Sequence, residues 1–540
     1  MTSLSVSASG AAADAVARHV GGLVEDAVAS RIFAQDATLW GPEAEAESRI
    51  RLAWVSLPRS SRPLVGEIAA LRGTFVEKGL DHVVLCGMGG SSLAPEVICA
   101  TAGRDLVVLD SSHPDVVRDA VSHRLDQTIV VVSSKSGSTV ETDSQRRAYE
   151  QAFRDAGIDP AERIVVVTDP GSPLDAESRE KGYRVVNADP NVGGRYSALT
   201  AFGLVPSGLA GVDVAALLDD AESVSDVLAA DDEGNPALRL GAAMAGTRPL
   251  RDKLVLVDDG SEIVGFADWA EQLIAESTGK NGTGILPVVV EGDGSPEISR
   301  QPADVLVARL VSQDDETKTT GDEVRISGSL GAQLLLWEAA TAVAGRLLGI
   351  NPFDQPDVES AKKAARGLLE SGTRGADPAA YADGAVEVRT LGGDWLGSAT
   401  TVAEAVDALL GQLGETGYIA VMAYLDRLGD AALASARPAL AERTGRPVTF
   451  GWGPRFLHST GQFHKGGPAE GVYLQITSAP REDLAVPGRE FTFGEFIAAQ
   501  AGGDAQVIAE HERPVLRLHL TDHDTGLAQV IKTLTLGGRG

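Results

Sequence analysis

The 540-residue sequence is poor in cysteine and has no long apolar run. Its two cysteines, Cys86 and Cys99, are too few for a disulfide framework or a cysteine-ligated zinc site. The N-terminal residues lack the basic and apolar regions of a secretory signal peptide. No stretch approaches the roughly 18 consecutive apolar residues of a membrane span. These absences predict a protein of the reducing cytoplasm that has no membrane segment.

The chain is also short of positive charge. It contains 47 lysine and arginine residues against 76 aspartate and glutamate residues, and its formal net charge is −29 at pH 7. A protein with this charge has no extended basic surface to attract a nucleic acid or an anionic membrane. We therefore expect no nucleic-acid partner, and an anionic ligand would need a local cationic pocket.

Hydrophobic periodicity predicts an α/β protein. From His82 onward, runs of β-branched residues alternate with helical stretches, which is typical of parallel sheets covered by helices on both faces. Right-handed crossovers then give a doubly wound domain, and a second alternation follows it. Residues 371–398 are rich in Gly, Ala and Asp and are read as a loop or linker. The predicted units are an N-terminal helical segment (1–75), a first domain (76–230), a second domain (231–480) and a C-terminal α/β tail (481–540).

Two strand-to-helix connections in the first predicted domain have the composition of anion-binding loops. In LCGMGGSSLAP (85–95), glycines allow the backbone to approach a ligand, and the following helix presents free N–H groups. In SSKSGSTVET (133–142), hydroxyls surround one lysine at the end of a strand, where open α/β sheets bind ligands. Each loop alone is compatible with an ordinary solvated turn, but together they favour one small phosphate ester.

Three charged residues in later segments are candidates for the chemistry. Arg195 lies in GGRYSALTAFGLVP, where it could be a surface charge, a helix-start contact or a group that stabilises an oxyanion. Glu271 and Glu276 lie on one predicted helix. Glu271 is read as helix surface, whereas Glu276 is near the helix end and could act as a general base.

Two further segments offer a lysine and two histidines. Gln355 and Lys362 are seven positions apart in NPFDQPDVESAKK, which places them on roughly the same helical face, although Lys362 could equally be solvated. His458 and His464 lie in RFLHSTGQFHKGGP, a loop that is the main source of histidine for acid–base work near neutral pH. No companion Cys/His cluster supports a zinc site there.

Six of these segments together resemble glucose-6-phosphate isomerases. They are GMGGSSLAPEV, SSKSGSTVET, GGRYSALTAFGLVP, AEQLIAESTGK, NPFDQPDVESAKK and LHSTGQFHKGG, and they cover roughly residues 80 to 480. The likeness is most evident to the isomerase portion of fused transaldolase/glucose-6-phosphate isomerase proteins. It implies two doubly wound sugar-isomerase domains with mainly parallel sheets, which agrees with the alternation of strands and helices.

The resemblance implies an aldose–ketose isomerase that interconverts glucose 6-phosphate and fructose 6-phosphate through a cis-enediol(ate) after ring opening. Glu276 matches the catalytic base and Arg195 the arginine that stabilises the enediolate, while Lys362 and His458 match residues that open the ring. Such a proton transfer needs a positioned base and an electrophile, but no metal or other cofactor. The implied substrate-binding residues are Gly89, Gly90, Ser91, Ser134, Lys135, Ser136, Thr139 and Gln355, with His464 able to share or take the role of His458.

The chain departs from the ordinary family pattern in its order. The histidine motif follows the segments of Glu276 and Gln355 instead of lying between them, and Ser136 stands where Thr is common. The resemblance implies a homodimer. These residues contain no transaldolase segment, so the chain could act alone or with a separate transaldolase as its partner. Two other functions are weighed: a non-catalytic sugar-phosphate sensor on the same fold, and an isomerase of another phosphosugar such as mannose 6-phosphate. The joint presence of Glu276, Lys362 and His458 favours an enzyme.

Overall fold

A computed structural model describes residues 4–315, 317, 320–371 and 378–536, without the side chains of residues 358, 359, 361, 362, 370 and 371. Within this part of the chain, three mainly parallel sheets are flanked by helices. This arrangement confirms the predicted α/β class. Among the described helices, none combines the length and apolarity that a bilayer span requires.

The N-terminal segment is mainly helical, as predicted, but it begins with a strand. This strand, β1 (Ser5–Ala8), pairs antiparallel with residues 324–327. A four-residue strand has too few positions for a periodic signal, and its partner is remote in sequence, so local patterns do not reveal it. The helices that follow are α1 (Gly10–Glu25), α2 (Val28–Phe33), α3 (Glu45–Ser48), α4 (Leu57–Ser60) and α5 (Arg62–Glu77).

Residues 82–245 contain the first sheet and its helices. The strands are β2 (His82–Gly87), β3 (Val107–Leu109), β4 (Thr128–Ser133), β5 (Ile164–Thr168) and β6 (Arg184–Asn187). The helices are α6 (Leu93–Thr101), α7 (Pro114–Ser122), α8 (Val140–Asp155), α9 (Pro173–Glu180), α10 (Ala201–Leu209), α11 (Val214–Leu228) and α12 (Pro236–Ala245). All five strands are parallel, in the order β3-β2-β4-β5-β6. The loops that follow the neighbouring strands β2 and β4 therefore lie side by side at one edge of the sheet.

The second sheet contains the strand contributed by the N-terminus. Its strands are β7 (Lys253–Asp259), β8 (Leu286–Val289), β9 (Val305–Val311) and β10 (Glu323–Ser327), in the order β1-β10-β9-β7-β8. Only β1 is antiparallel to its neighbour. The helices are α13 (Phe266–Thr278), α14 (Pro296–Arg300) and α15 (Leu330–Leu348). Helix α15 is apolar around most of its circumference, as expected of a helix that is buried on all sides.

A third sheet is built from the C-terminal part of the chain. Its strands are β11 (Tyr381–Asp383), β12 (Val386–Leu391), β13 (Tyr418–Tyr424), β14 (Val448–Trp452), β15 (Gly471–Ser478) and β16 (Val515–Leu520). They are ordered β11-β12-β16-β15-β13-β14, and the four from β16 to β14 are parallel. The helices are α16 (Val358–Ser371), α17 (Val402–Leu410), α18 (Ala436–Thr444), α19 (Gly461–Gly466), α20 (Phe493–Glu510) and α21 (His523–Leu536).

The prediction of a linker at 371–398 was wrong for part of that range, because β11 and β12 form an antiparallel hairpin there. The high content of Gly and Ala hid the alternating segment from Val386 to Leu391. The predicted second domain (231–480) contributes strands to both the second and the third sheet, and the predicted tail (481–540) contributes β16 to the third. The proposed domain boundaries remain a prediction. The second and third sheets share an apolar cluster that includes Val255, Val307, Tyr418 and Tyr473.

Candidate active site

One cleft of about 370 Å³ lies where the three sheets meet. It is bordered by the loops after β2 and β4, the end of α13, the turn after β14, and helices α16 and α20. Its lining includes most of the predicted site residues: Gly89, Gly90, Ser91, Ser134, Lys135, Ser136, Thr139, Arg195, Glu276, Gln355 and His458. Residues remote in sequence therefore converge on a space that suits a small-molecule ligand.

The loop after β4 leads directly into α8. The Ser134 hydroxyl donates to Thr139 Oγ1 at 3.3 Å, and the hydroxyls of Ser136 and Ser138 lie 2.7 Å apart. Gly137 has a φ of 73°, and a Cβ there would lie 2.5 Å from that of Leu174, so the turn requires glycine. The loop therefore offers hydroxyls beside the N-terminus of a 16-residue helix, which is a favourable place for an anion.

The side chain of Lys135 holds this loop to its neighbours. Its Nζ lies 3.0 Å from Asp169 Oδ2 and donates to the carbonyls of Pro190 at 3.1 Å and Val192 at 2.8 Å. An ammonium group has three donors, and here three protein acceptors are within reach. Burial lowers the pKa of Lys135 and raises the pKa of Asp169, while the attraction between the two opposes both shifts. Lys135 therefore holds the loop in place, and the carboxylate of Asp169 balances its positive charge.

Two glycines after β2 allow other segments to approach the cleft. Gly89 has a φ of 56°, and a Cβ there would lie 2.7 Å from Gln272 Nε2. A Cβ on Gly90 would collide with the carbonyl oxygen of Gly194. Larger residues at these positions would push away α13 and the segment that precedes Arg195.

Arg195 is buried and held from several directions. Only 2% of the residue is exposed, and its Nη1 lies 3.5 Å from Glu276 Oε2. A planar guanidinium with fixed partners is a rigid source of positive charge. Its other acceptors are Ser277 Oγ (2.8 Å), the carbonyls of Pro352 (2.8 Å) and Asp354 (2.9 Å), and Gln355 Oε1.

Helix α13 presents Glu276 to the cleft. Gln272, one turn earlier on the same face, has its Nε2 3.4 Å from Glu276 Oε1 and donates to the His458 carbonyl at 2.7 Å. Glu271 does not line the cleft; it is partly exposed and accepts a hydrogen bond from Ser459 Oγ at 3.0 Å. Burial raises the pKa of Glu271 to about 8.

The turn after β14 carries His458. Its Nε2 lies 3.2 Å from Glu141 Oε1, and Glu141 comes from the first turn of α8. Gln500, on α20, donates from Nε2 to the same carboxylate oxygen at 2.7 Å. Elements of the first and third sheets are therefore joined through one carboxylate.

The expectation that His464 contacts the substrate needs correction. Its ring lies outside the cleft, only 2% of the residue is exposed, and it packs against Tyr418, Phe456 and Tyr473. Neither ring nitrogen has a hydrogen-bond partner among the described residues. Burial holds the pKa of His464 well below its usual range. Because α19 turns this position into the apolar interior, His464 is a neutral packing residue.

Gln355 and Lys362 do not share a helical face, because α16 begins only at Val358. Gln355 precedes the helix and accepts a hydrogen bond from Arg195. Lys362 lies in α16, but its side chain is outside the described part of the structure. The nearby Arg366 does line the cleft.

Several residues that line the cleft were not predicted from the sequence. Gln272 and Glu141 lie within quoted motifs, one turn before Glu276 and just after the serine-rich loop, so helical spacing was an available signal. Gln500 offered none, because α20 is far away in sequence. Lys465 also lies within a quoted motif, but it forms a 2.6 Å ion pair with Asp504 inside the protein, which the motif does not indicate. Among the described residues, no cluster of His, Cys, Asp and Glu is arranged to hold a metal ion.

Solved structures support the same fold. A hypothetical protein of Thermus thermophilus superposes with a TM-score of 0.58 and 25% identity, covering 68% of this chain and 100% of its own. A glucose-6-phosphate isomerase of Chlamydia trachomatis superposes with a TM-score of 0.53 and 20% identity, covering 66% of this chain and 86% of its own. At this identity, the second similarity shows the fold alone.

No protein-family model matches the chain. Curated relatives do. A protein of Methanococcus maripaludis named "Probable glucose-6-phosphate isomerase" is 30% identical over 349 residues, which span 54% of this chain and 79% of the relative. A protein of Haloarcula marismortui with the same name is 30% identical, over 54% of this chain and 78% of the relative. This extent of identity shows that the chain belongs to the glucose-6-phosphate isomerase family.

Proposed function

We propose that this protein is an aldose–ketose isomerase that interconverts glucose 6-phosphate and fructose 6-phosphate. One observation carries the proposal: a buried carboxylate, a guanidinium 3.5 Å from it, an imidazole and a hydroxyl-rich loop all border one cleft of about 370 Å³. A base and an electrophile at this spacing suit proton abstraction next to a carbonyl group. The hydroxyl-rich loop at a helix N-terminus suits a phosphate.

Glu276 is the proposed base. It takes a proton from C2 of the open-chain aldose and delivers it to C1, with the cis-enediol(ate) as the intermediate, while the hydroxyl proton of O2 passes to O1. Negative charge develops on the carbonyl oxygen as the proton leaves, and Arg195 is the nearby fixed cation that would stabilise it. The hydrogen bonds of Arg195 to protein carbonyls hold it in place before the reaction, which lowers the cost of reorganisation.

The phosphate is proposed to bind the hydroxyls of Ser91, Ser134, Ser136 and Thr139 and the backbone N–H groups at the start of α8. Gly89 and Gly90 keep the backbone of the second loop close to the ligand. Since the Lys135 ammonium already has three protein acceptors, we assign it to anchoring this loop and balancing Asp169. Such a site gives an acidic chain a local preference for a dianion.

Ring opening precedes proton transfer in this proposal. It is assigned to His458, which lies beside Glu141, and to Lys362. The assignment of Lys362 rests on the resemblance of its motif alone. One group takes the proton from O1 while the other gives a proton to O5 as the C1–O5 bond breaks, and closure of the product ring restores both.

A coupled assay with fructose 6-phosphate tests the proposal with two glutamates of α13. Glu276→Gln keeps the size of the side chain but removes the base, so kcat should fall about 10³-fold. Glu271→Gln is the matched control, because an amide oxygen can still accept the hydrogen bond of Ser459, and it should retain nearly full turnover. Equal turnover by wild type and Glu276→Gln would refute the mechanism. A wild-type protein that binds the phosphosugar without converting it would support a sensor instead.

A further inference from the structure

Gln500 connects helix α20 to the proposed acid–base groups of the cleft. It is only 3% exposed, and its Nε2 donates to Glu141 Oε1 at 2.7 Å. The same oxygen lies 3.2 Å from His458 Nε2. Gln500 on α20 therefore supports the carboxylate of Glu141 on α8, and that carboxylate in turn supports His458.

The chemistry of the partners fixes the orientation of the amide. An ionised carboxylate only accepts hydrogen bonds, so the amide nitrogen of Gln500 must face Glu141. The amide oxygen has no hydrogen-bond partner among the described residues, and turning the amide round would bring two oxygen atoms together. Glu141 also requires a proton on His458 Nε2, which leaves Nδ1 as the nitrogen able to exchange a proton.

We propose that Gln500 is a positioning residue for ring opening. Its N–H holds Glu141 as an aligned acceptor, Glu141 holds the Nε2–H form of His458, and Nδ1 stays available to the substrate. When the ring opens, the C1–O5 bond breaks, O1 loses its proton as the carbonyl forms, and O5 gains a proton. His458 exchanges one of these two protons. This inference rests on the proposed function.

A neutral amide suits this position because it adds no charge. A lysine would compete with His458 for Glu141, and a second carboxylate would repel Glu141 when ionised. Among the side chains that the structure describes, Lys465 of α19, paired with Asp504 of α20, and Arg366 of α16 also bring charge to this part of the cleft, and Glu276 and Arg195 line it as well.

The test uses glucose 6-phosphate with hydrogen or deuterium at C2. Gln500→Met removes the donor with little change in volume, so kcat should fall about tenfold, as expected for loss of a hydrogen bond to a charged group. Ring opening then becomes the slow step, and the deuterium isotope effect should shrink toward 1. Gln506→Met is the matched control, because Gln506 is exposed on the same helix and its amide donates to Glu510, one turn later and away from the cleft. It should change neither quantity.

A second variant adds a pH readout. In Gln500→Glu, the new carboxyl can donate to Glu141 when protonated but repels it when ionised, so kcat relative to wild type should fall as pH rises. A folded Gln500→Met variant with wild-type kcat and isotope effect would overturn the inference. So would a lower kcat with an undiminished isotope effect, since that indicates a general structural loss. A wild-type protein without turnover would instead overturn the proposed function.

Discussion

The two ends of the cleft are built in different ways. At the phosphate end, the proposed ligands come from two short loops after adjacent strands of one sheet, and most are neutral hydroxyls. At the proton-transfer end, Arg195, Glu276 and His458 come from the regions of three different sheets, and the buried groups are ionisable. One end depends on local sequence and the other on long-range packing.

This difference suggests how an acidic chain accommodates an acidic substrate. The phosphate end uses oriented dipoles and hydroxyls, and its one lysine is already balanced by Asp169. The proton-transfer end holds its charges in a small volume with low exposure, where electrostatic interactions are stronger than in water. Mutations at the two ends should therefore have different kinetic signatures, with kcat affected at one and KM at the other.

The two histidines of one segment give the largest contrast. His458→Asn should lower kcat with cyclic glucose 6-phosphate about 100-fold, because it removes a group that exchanges protons in ring opening. His464→Leu should leave kcat within about threefold of wild type, since the ring it removes is an apolar packing element with unpaired nitrogens. The coupled assay measures both.

A loss of activity in His464→Leu as large as that in His458→Asn, with an unchanged circular dichroism spectrum, would contradict this division. That result would show that His464 is needed for activity and is more than a packing residue. A full kcat in His458→Asn would remove the proposed ring-opening role.

A smaller effect is expected at the phosphate end. Lys135→Met leaves Asp169 without its paired ammonium beside the phosphate loop, so weaker substrate binding should raise KM about tenfold with little change in kcat. The double variant Lys135→Met/Asp169→Asn removes both charges. If Lys135 acts mainly by balancing Asp169, the double variant should recover most of the wild-type KM.

The alternative is that the Lys135 ammonium binds the phosphate directly. KM would then stay high in the double variant, because no cation remains to replace it. Steady-state KM for fructose 6-phosphate, measured for wild type, Lys135→Met, Asp169→Asn and the double variant, forms a double-mutant cycle that separates the two roles.

The same contrast explains what could be predicted from the sequence. The alternation of parallel strands and helices from His82 onward was predicted, because buried parallel strands are continuous apolar runs. β1 and the β11–β12 hairpin escaped prediction, since short strands depend on partners that are distant in sequence or lie in a segment of weak pattern.

For the site, motifs predicted that the loops after β2 and β4 and Glu276 would act together, and all of them line the cleft, but spacing alone could not separate His458 from His464. Both lie in one segment rich in glycine, and only the packing of α19 against Tyr418 and Tyr473 removes one of them from the cleft. Gln500 could not be predicted from the sequence, because its hydrogen bond to Glu141 joins residues 359 positions apart. Supporting contacts of this kind depend on the assembled domains.

The last prediction leaves turnover unchanged and concerns the pH dependence of stability at Glu271, which lies outside the cleft. Burial raises the pKa of Glu271 from 4.5 to about 8, so the folded protein retains a proton that the unfolded chain has lost. This group's contribution to stability is therefore complete below about pH 4.5 and is lost as pH rises toward about 8. Glu271→Gln abolishes that titration, so the variant should gain stability relative to wild type over this range. Urea unfolding midpoints at several pH values measure the difference, and a constant difference would show that Glu271 is ionised in the folded protein.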